Sequence, residues 1–476
     1  MYDLDMDRSG FAGRLEQLAL LEADLAEVRS SGRGLFVLVR GRRQVGKSRL
    51  IEEFIDRGKV PAVFFTATKG RGSSAELNEF TQLMRHPSID ADQALADTTF
   101  GSWDAALSAL ARTVKDPTVV VVDEVPYLFA GAPDVEGAFQ KAWDRSLKNS
   151  PVLLVVIGSD LAMMEALAEY GRPLYGRPTR EIDLRPLSPY DVASLTGLSP
   201  LDAFDAYLVT GGFPNLVNRW RHGQTLKQFL ASNLVTSTEV LSIVGERMMS
   251  AEFPVDSQAR LVLTAIGSGA PTFTTIGAHT GLAAASLDRA LKLLTAKRAI
   301  AVEQPTSGRP SGRETRYRIA DTYLAFWTRF LEPALPMLDR GRSHQVLEYI
   351  VGQWPDYRGR AIEPIVRESV SRLLPINGVD AHTVASYWTR DGRTEVDLVG
   401  IDGNGSKRRV SFIGSVKWRQ RRPFSGTDAS ALAAQLPMVP GVDDRTKLLA
   451  VSSSGFDVRD VPITLGPTEL LQAWST

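Results

Sequence analysis

The sequence has no cysteine, which excludes disulfides, thiolate nucleophiles and cysteine-ligated zinc or iron–sulfur centres. Its five histidines stand singly and form no HExxH pair, which argues against a histidine-based metal site. The 55 basic and 55 acidic residues cancel, so no global field draws the protein to nucleic acid or to a membrane. Any such affinity must therefore come from a local patch of charge.

Long apolar runs are also missing, since the longest has six residues (VLLVVI) and a membrane-spanning helix needs about 20. The N-terminal segment MYDLDMDRSG is acidic and lacks the apolar stretch of a signal peptide. With 476 residues, the chain is long enough for about two to four domains that each bury a core. We therefore expect a cytoplasmic protein of several domains with no membrane partner.

One stretch does carry a specific chemical signal, the segment LFVLVRGRRQVGKSR at residues 35–49. Its Gly-x4-Gly-Lys-Ser spacing is typical of a phosphate-binding loop, in which glycines let successive N–H groups form a concave anion site. An apolar strand precedes the loop and an amphipathic helix follows it, as this motif requires. A chance match in a glycine-rich loop is the alternative. The predicted nucleotide contacts are Gly41, Arg42, Arg43, Gln44, Val45, Gly46, Lys47, Ser48 and Arg49.

The chemistry expected of this site is ATP hydrolysis with Mg²⁺. Lys47 would reach the β and γ phosphates, and Ser48 would offer its hydroxyl to the metal. A second apolar strand, TVVVV, ends in Asp123 and Glu124. Asp123 would hold Mg²⁺, whereas Glu124 would polarise the attacking water and so separate hydrolysis from binding alone. Without the phosphate loop, this acidic pair would be only a loop signal.

Two more β segments, 60–66 and 152–157, fit the same parallel sheet, and the site would lie at its carboxyl edge. Ser159 follows the second segment and is expected to touch the γ-phosphate or the attacking water. The alternative is that this turn only caps the helix that starts at Asp160.

Several segments, taken in order, resemble the archaeal-type ATPases of the AAA+/STAND superfamily. They are FAGR at 11–14, the phosphate loop, VVVVDE, IGSDLAMM, PLYGRPTREIDLRPLS and YLVTGGFPNLV. The resemblance implies that Arg14 lies near the base or ribose, that Ser159 is a sensor and that Pro214 packs against adenine with Gly212 and Phe213. It also implies that Arg177 contacts the γ-phosphate, either in its own subunit or in a neighbouring one. A surface arginine and a helix-ending turn are the alternatives for Arg177 and for the Gly-Phe-Pro segment.

Beyond a helical lid at 191–252, residues 253–320 show three short helices and two short strands around a Gly/Pro/Ser-rich turn. This order is typical of a winged helix-turn-helix, with Gly281 at the turn. The predicted DNA contacts are Ser286, Arg289 and Lys292 on the third helix and Arg309, Arg313 and Arg316 in the wing. A lid or a protein-contact module is the alternative, because Asp288 opposes the mildly basic face.

The segment 321–476 starts with an aromatic stretch that fits a buried connector helix, with a base-stacking platform as the alternative. It then resembles the PD-(D/E)xK restriction-endonuclease-like core, with SYWTRDGRTEVDLVGID and RRVSFIGSVKW as two adjacent strands. In that fold two acids and an acid-x-Lys unit hold a metal against phosphate, and Glu363, Asp397 and Lys417 match three of these positions. Ser415 replaces the remaining acid and is a poor Mg²⁺ ligand, so the resemblance implies a degenerate site.

A basic stretch at 407–422 contains no acid and includes Lys417 and Arg419, which we expect to contact phosphate. The alternative is a solvent-exposed strand edge whose charged side chains prevent pairing with another strand. The predicted fold class is an α/β P-loop NTPase sheet (1–190) with a helical lid, a winged helix-turn-helix and an α/β restriction-endonuclease-like domain. The leading hypothesis is an ATPase whose nucleotide state controls DNA contact. The alternatives are a STAND-like signalling switch that forms a homo-oligomer or binds a protein partner, and an ATP-regulated, metal-dependent nuclease.

Overall fold

The computed structural model describes residues 11, 13–85, 99–132, 134–253, 257–306, 314–403 and 408–475. The chain forms two compact units that divide between Pro186 and Leu187. In this described part of the chain, no helix is both long and apolar enough to cross a membrane. The finer division predicted at residues 252 and 320 stays a prediction.

The first unit is built on a five-stranded sheet in which every pair of neighbouring strands is parallel. Its strands are β1 (Leu35–Arg40), β2 (Ala62–Thr66), β3 (Thr118–Asp123), β4 (Val152–Gly158) and β5 (Arg180–Asp183). Their order across the sheet is β2, β3, β4, β1, β5. Strands β3 and β4 are buried along their whole length, which explains their unbroken apolar sequence. The predicted parallel α/β sheet is confirmed.

Helices surround this sheet and bury a core rich in aromatic side chains. They are α1 (Leu15–Ser31), α2 (Lys47–Gly58), α3 (Ser73–Leu83), α4 (Trp103–Thr113), α5 (Val125–Gly131), α6 (Asp134–Arg145) and α7 (Leu161–Leu167). Trp103 contacts Phe65, Phe80 and Phe139 with ring centroids 5.2 to 5.9 Å apart. Because all five strands are parallel, β1, β3 and β4 deliver their carboxyl ends to one edge, where the phosphate loop, Asp123 and Ser159 meet.

The second unit begins with a group of helices in the predicted lid segment. They are α8 (Pro189–Thr196), α9 (Pro200–Thr210), α10 (Pro214–Val217), α11 (Leu226–Asn233) and α12 (Val240–Glu252). Side-chain caps explain several of their starts, since Ser188 and Thr225 each form a capping box and Ser199 caps α9.

Three helices and an antiparallel hairpin follow in the predicted order. They are α13 (Gln258–Gly267), α14 (Phe273–Thr280), α15 (Ala284–Ala296), β6 (Ile300–Glu303) and β7 (Arg316–Ile319). Gly281 ends α14 with φ of 67°, a left-handed conformation that suits glycine. Arg309 and Arg313 lie outside the described residues. The identification of this segment as a winged helix-turn-helix stays a prediction.

The aromatic stretch after β7 is buried as the connector interpretation expects. It comprises α16 (Thr322–Phe326), a π-helical turn (Trp327–Leu331), a 3-10 turn (Glu332–Ala334), α17 (Leu335–Asp339), α18 (Ser343–Ala361) and α19 (Glu363–Leu373). Tyr323, Phe326 and Trp327 are fully buried, so they are not a platform for stacked bases. Tyr349 is the exception, since it is 51% exposed.

The C-terminal sheet is mixed and follows the order β14, β12, β10, β9, β8. Its strands are β8 (Thr383–Trp388), β9 (Glu395–Asp402), β10 (Arg409–Lys417), β12 (Lys447–Ser452) and β14 (Ile463–Leu465). The remaining elements are β11 (Phe424–Ser425), α20 (Gly426–Ala433), β13 (Phe456–Asp457) and α21 (Pro467–Gln472).

One strand prediction in this sheet is wrong. The segment predicted as a single strand from Ser386 to Asp402 turns back on itself, and β8 and β9 pair as an antiparallel hairpin. Gly392 adopts φ of 69° in the turn, and the Asp-Gly dipeptide at 391–392 was the overlooked turn signal. The predicted adjacency of the Asp397 strand and the Lys417 strand is correct, because β9 and β10 pair antiparallel.

Candidate nucleotide-binding site

The phosphate loop joins β1 to α2 through backbone conformations that its sequence permits. Gly46 has φ of 91° directly before the first residue of α2, and Gln44 has φ of 66°. Gly41 is held against β5, because a Cβ added there would lie 2.3 Å from the Leu184 carbonyl oxygen. Glycine is therefore needed at both ends of the loop, for a turn at one and for close backbone approach at the other.

Lys47 lies inside the loop with only 6% of its surface exposed. Its Nζ donates to the carbonyl oxygens of Gly41 and Arg42, each at 2.9 Å. Burial lowers the pKa of Lys47 to about 8 although the carboxylates of Glu124 and Asp123 favour the charged form. The ammonium group is thus positioned at the loop but is easier to deprotonate than an ordinary lysine.

Ser48 and Asp123 form the second part of the site. The Ser48 hydroxyl donates to Asp123 Oδ2 at 2.6 Å, and the Glu124 N–H donates to Asp123 Oδ1 at 2.8 Å. Burial raises the pKa of Asp123, and these two hydrogen bonds oppose that rise. A hydroxyl and a carboxylate at this spacing are oxygen ligands of the kind Mg²⁺ prefers, so the residues present fit the predicted metal.

Glu124 and Ser159 form the third part. The Ser159 hydroxyl lies 2.8 and 3.0 Å from the two carboxylate oxygens of Glu124 and donates to them. Asp160, the next residue, accepts the Met163 N–H at 3.1 Å and caps α7. The helix cap is thus supplied by Asp160, and the contact of Ser159 with the γ-phosphate or the attacking water stays a prediction.

The arginines in and around the phosphate loop contact different partners. Arg14 donates to the Val45 carbonyl oxygen at 3.1 Å, which places it beside the loop. The Arg43 guanidinium lies 5.6 Å above the ring of Tyr127, a residue that the sequence did not suggest. Arg49 points along α2 to Glu53, at 3.0 Å.

Arg177 is held within the first unit by an ion pair. Its Nη2 lies 2.8 Å from Asp144, and its Nη1 donates to the Tyr175 carbonyl oxygen at 3.0 Å. Asp144 was missed because it lies 33 residues earlier in the chain, with no local pattern that joins the two. A role for Arg177 at a γ-phosphate would require this ion pair to break.

Pro214 belongs to the second unit, where it opens α10. Phe213 is fully buried and meets the Tyr323 ring edge-on, with centroids 5.9 Å apart. The segment therefore has a packing function within its own unit. Its contact with adenine stays a prediction.

The predicted DNA-contact residues of α15 lie on its accessible side. Arg289 is exposed and donates weakly to the Ser286 hydroxyl at 3.4 Å. Lys292 pairs with Asp288 at 2.8 Å, and both side chains are more than half exposed. Leu293 on the same helix is 46% exposed. The helix thus presents a mixed surface and not a purely basic one.

The acids predicted for a nuclease-like site, Glu363 and Asp397, lie close enough to interact electrostatically. Asp397 accepts the Val416 N–H at 2.7 Å and the Ser415 hydroxyl at 3.1 Å. Burial raises the pKa of Glu363 to about 8, with the charge of Asp397 adding to the rise and Arg367 opposing it. Among the residues that the structure describes, no group of three His, Cys, Asp or Glu side chains is arranged to hold a metal ion.

Part of the predicted basic patch is neutralised. Arg419 donates two hydrogen bonds to Asp428, at 2.9 and 3.0 Å, so its guanidinium group is held within the protein. The sequence argument failed here because it considered only the acid-free stretch itself, and Asp428 follows that stretch. Lys417 is half-buried at the end of β10, whereas Arg421 and Arg422 are exposed.

Two family matches cover separate parts of the chain. Residues 12–219 match a family described as an ATPase domain predominantly from Archaea. Residues 327–429 match a family described as archaeal and bacterial proteins of unknown function. An uncharacterized protein of Methanocaldococcus jannaschii is 24% identical over 455 residues, which cover 94% of this chain and 97% of the relative.

Two solved structures are similar to this chain to different degrees. A Walker-type ATPase of Pyrococcus abyssi is similar with a TM-score of 0.51 at 18% identity, covering 68% of this chain and 97% of that chain. The ORC2 protein of Aeropyrum pernix has a TM-score of 0.47 at 11% identity, covering 73% of this chain and 98% of that chain. The first likeness agrees with the parallel sheet and phosphate loop seen in the first unit.

Proposed function

We propose, for a chain whose residues 12–219 match a family of ATPase domains found predominantly in Archaea, that ATP hydrolysis in the first unit controls nucleic-acid contact by the second. The observation that supports hydrolysis is the connected series from Ser48 through Asp123 and Glu124 to Ser159. Each of these side chains is hydrogen-bonded to the next residue in the series. Because Lys47 directly precedes Ser48 in the chain, the lysine, the oxygen atoms that suit Mg²⁺ and the candidate base Glu124 lie close together.

In this mechanism the loop N–H groups and Lys47 bind the triphosphate, with the Lys47 ammonium exchanging its carbonyl partners for phosphate oxygens. Ser48 and Asp123 would hold Mg²⁺, which neutralises phosphate charge when bound. Glu124 orients the attacking water and accepts its proton. Ser159 holds the Glu124 carboxylate by donating to it, so it acts on the reaction through Glu124.

The nucleic-acid part of the proposal depends on local charge in the second unit. Arg289 on α15 and the pair Arg421 and Arg422 after β10 are exposed cations. Contacts of exposed arginines with phosphate release counterions, so binding should weaken steeply as salt is raised. The proposal requires neither the recognition of particular bases nor the cleavage of a nucleic-acid strand.

Glu124→Gln tests this function, because an amide of the same shape cannot accept the proton. We expect ATP binding to persist and phosphate release to fall by about two to four orders of magnitude. The trapped ATP state should also bind a labelled DNA duplex with an affinity different from that of the ADP state. Glu169→Gln, an exposed acid of the same unit, is the matched control and should leave turnover unchanged. Wild-type turnover in Glu124→Gln would disprove the assignment.

The exposed side of α15 also favours a second function, an ATP-dependent switch that binds a protein. The Asp288–Lys292 ion pair offsets charge there, and the exposed Leu293 offers apolar contact area. Mass measurement with and without ATP, alongside a salt-titrated DNA-binding assay, distinguishes the two functions. ATP-dependent assembly with no DNA binding at low salt would favour the switch.

A further inference from the structure

The hairpin of β6 and β7 is docked on the C-terminal sheet. We call residues 300–306 and 314–319 the wing hairpin. The Thr306 N–H donates to the Ser386 carbonyl oxygen at 3.2 Å, and Arg408 donates to the Thr306 carbonyl oxygen at 2.6 Å. On the other arm, the Trp388 indole N–H donates to the Glu314 carbonyl oxygen at 3.0 Å. Both arms of the hairpin are therefore fastened to strands of the C-terminal sheet or to the residue just before one.

Arg316 of the wing hairpin contacts two side chains of the C-terminal sheet. Its guanidinium lies 4.5 Å above the Trp388 ring and forms an ion pair with Glu395. Only 32% of its side chain is exposed. The sequence suggested Arg316 as a phosphate contact, but here a carboxylate and an indole of the C-terminal sheet occupy it.

A second arginine of the hairpin is engaged beside it. Arg318 donates to Glu303 at 2.6 Å, and Arg367 from α19 donates to the same carboxylate oxygen at 2.8 Å. Burial acts to raise the pKa of Glu303, yet the two arginines hold it below its usual value. Glu303 thus ties the hairpin to the helix that precedes the C-terminal sheet.

We propose that the wing hairpin is an autoinhibitory latch, which rests on the nucleic-acid contact proposed above. Docking on the C-terminal sheet keeps Arg316 from nucleic-acid phosphate, and release makes its guanidinium available. Phosphate competes directly for this guanidinium, because arginine binds phosphate and carboxylate oxygens through the same planar array of donors.

The Arg316–Glu395 ion pair contributes only modestly to the docking of the wing hairpin. The Glu395 side chain is 56% exposed, and an exposed ion pair of this kind shifts an equilibrium by less than about tenfold. A phosphate backbone that engages several cations together can exceed that bias.

Glu395→Gln tests the latch, because it removes the charge that holds Arg316 and keeps the shape of the side chain. The probe is a labelled DNA duplex titrated at several salt concentrations, together with amide hydrogen exchange of residues Arg316–Ile319. Asp380→Asn is the matched control. Asp380 is an exposed carboxylate of the same C-terminal segment that accepts the Ala381 N–H, and among the described residues it forms no ion pair with an arginine.

We expect Glu395→Gln to tighten duplex binding about two- to fivefold and to speed exchange in Arg316–Ile319, while Asp380→Asn leaves both at the wild-type level. An equal gain in both variants would mean a general charge effect and would overturn the latch. Unchanged affinity in Glu395→Gln, with the wild type binding duplex, would overturn the latch and leave the proposed function intact. If no form binds duplex at low salt, the nucleic-acid function itself fails.

Discussion

At the residue scale, the position of the Glu124 carboxylate is set from two sides. Glu124 has φ of 53° at the junction of β3 and α5, a conformation uncommon for a residue other than glycine. Its N–H donates a hydrogen bond to Asp123, and its carboxylate accepts one from the Ser159 hydroxyl. The backbone conformation and the two hydrogen bonds together direct the side chain, and we propose on this basis that Ser159 is a positioning residue for the proposed base.

Ser159→Ala should therefore slow turnover and leave ATP binding unchanged. Loss of a hydrogen bond to a charged group predicts a fall of about ten- to a hundredfold in kcat. Phosphate release and nucleotide binding, measured separately, distinguish this from a loss of affinity.

The double variant with Glu124→Gln provides the control, because groups that act as a unit are not additive. It should be no slower than Glu124→Gln alone. A further tenfold loss in the double variant would show that Ser159 acts independently of Glu124.

Lys47 predicts a pH dependence of nucleotide binding. Its pKa of about 8 means that the ammonium form is lost as pH rises through that value, whereas an ordinary lysine stays charged. Because the charged form binds phosphate, ATP affinity should fall between about pH 7 and about pH 9. Binding titrations across this range test the expectation. Lys47→Arg, which stays protonated, should lack the inflection, and a flat wild-type profile would contradict the account.

The sequence could predict the site residues that lie within one motif, because a strand, a loop and a helix start fix their geometry locally. It could not predict partners that are remote in the chain. Asp144 beside Arg177, Tyr127 under Arg43 and Asp428 on Arg419 all became visible only from the folded chain. The last of these removed one cation from the predicted basic patch.

At the element scale, periodicity predicted the buried strands well because both of their faces are covered. Strands β1, β3 and β4 are such cases. The hairpin of β8 and β9 was missed because the turn signal Asp391-Gly392 was overlooked between two segments that both favour β structure. The docking of the wing hairpin was not predictable either, since it depends on contacts between segments about 80 residues apart.

The end of β4 allows a test of packing at the candidate site. A Cβ at Gly158 would lie 2.2 Å from the Met164 sulfur and 2.8 Å from the Pro126 ring, so Gly158→Ala should lower the free energy of unfolding by about 1–3 kcal/mol. Gly137→Ala is the matched control, because that helical position has no heavy atom within 4 Å of the added Cβ. It should be neutral or stabilise by up to about 1 kcal/mol. Denaturant midpoints measure both, and equal midpoints would refute the packing argument.

At the scale of the whole molecule, the charge balance and the family matches say more about the first unit than about the second. The net charge is zero, so the proposed nucleic-acid affinity would have to come from local groups of exposed arginines and lysines. Residues 12–219 match the model of an ATPase domain family, whereas residues 327–429 match a family of proteins of unknown function. The sequence could therefore predict the chemistry of the first unit better than the task of the second.

The measurement that most directly tests the central claim is the rate of ATP turnover by the wild type with and without saturating duplex DNA, with Glu124→Gln as the blank. Coupling between nucleotide state and nucleic-acid contact predicts that DNA changes the rate severalfold, and that the change disappears as salt weakens binding. A turnover rate that is the same with and without bound duplex would contradict the account.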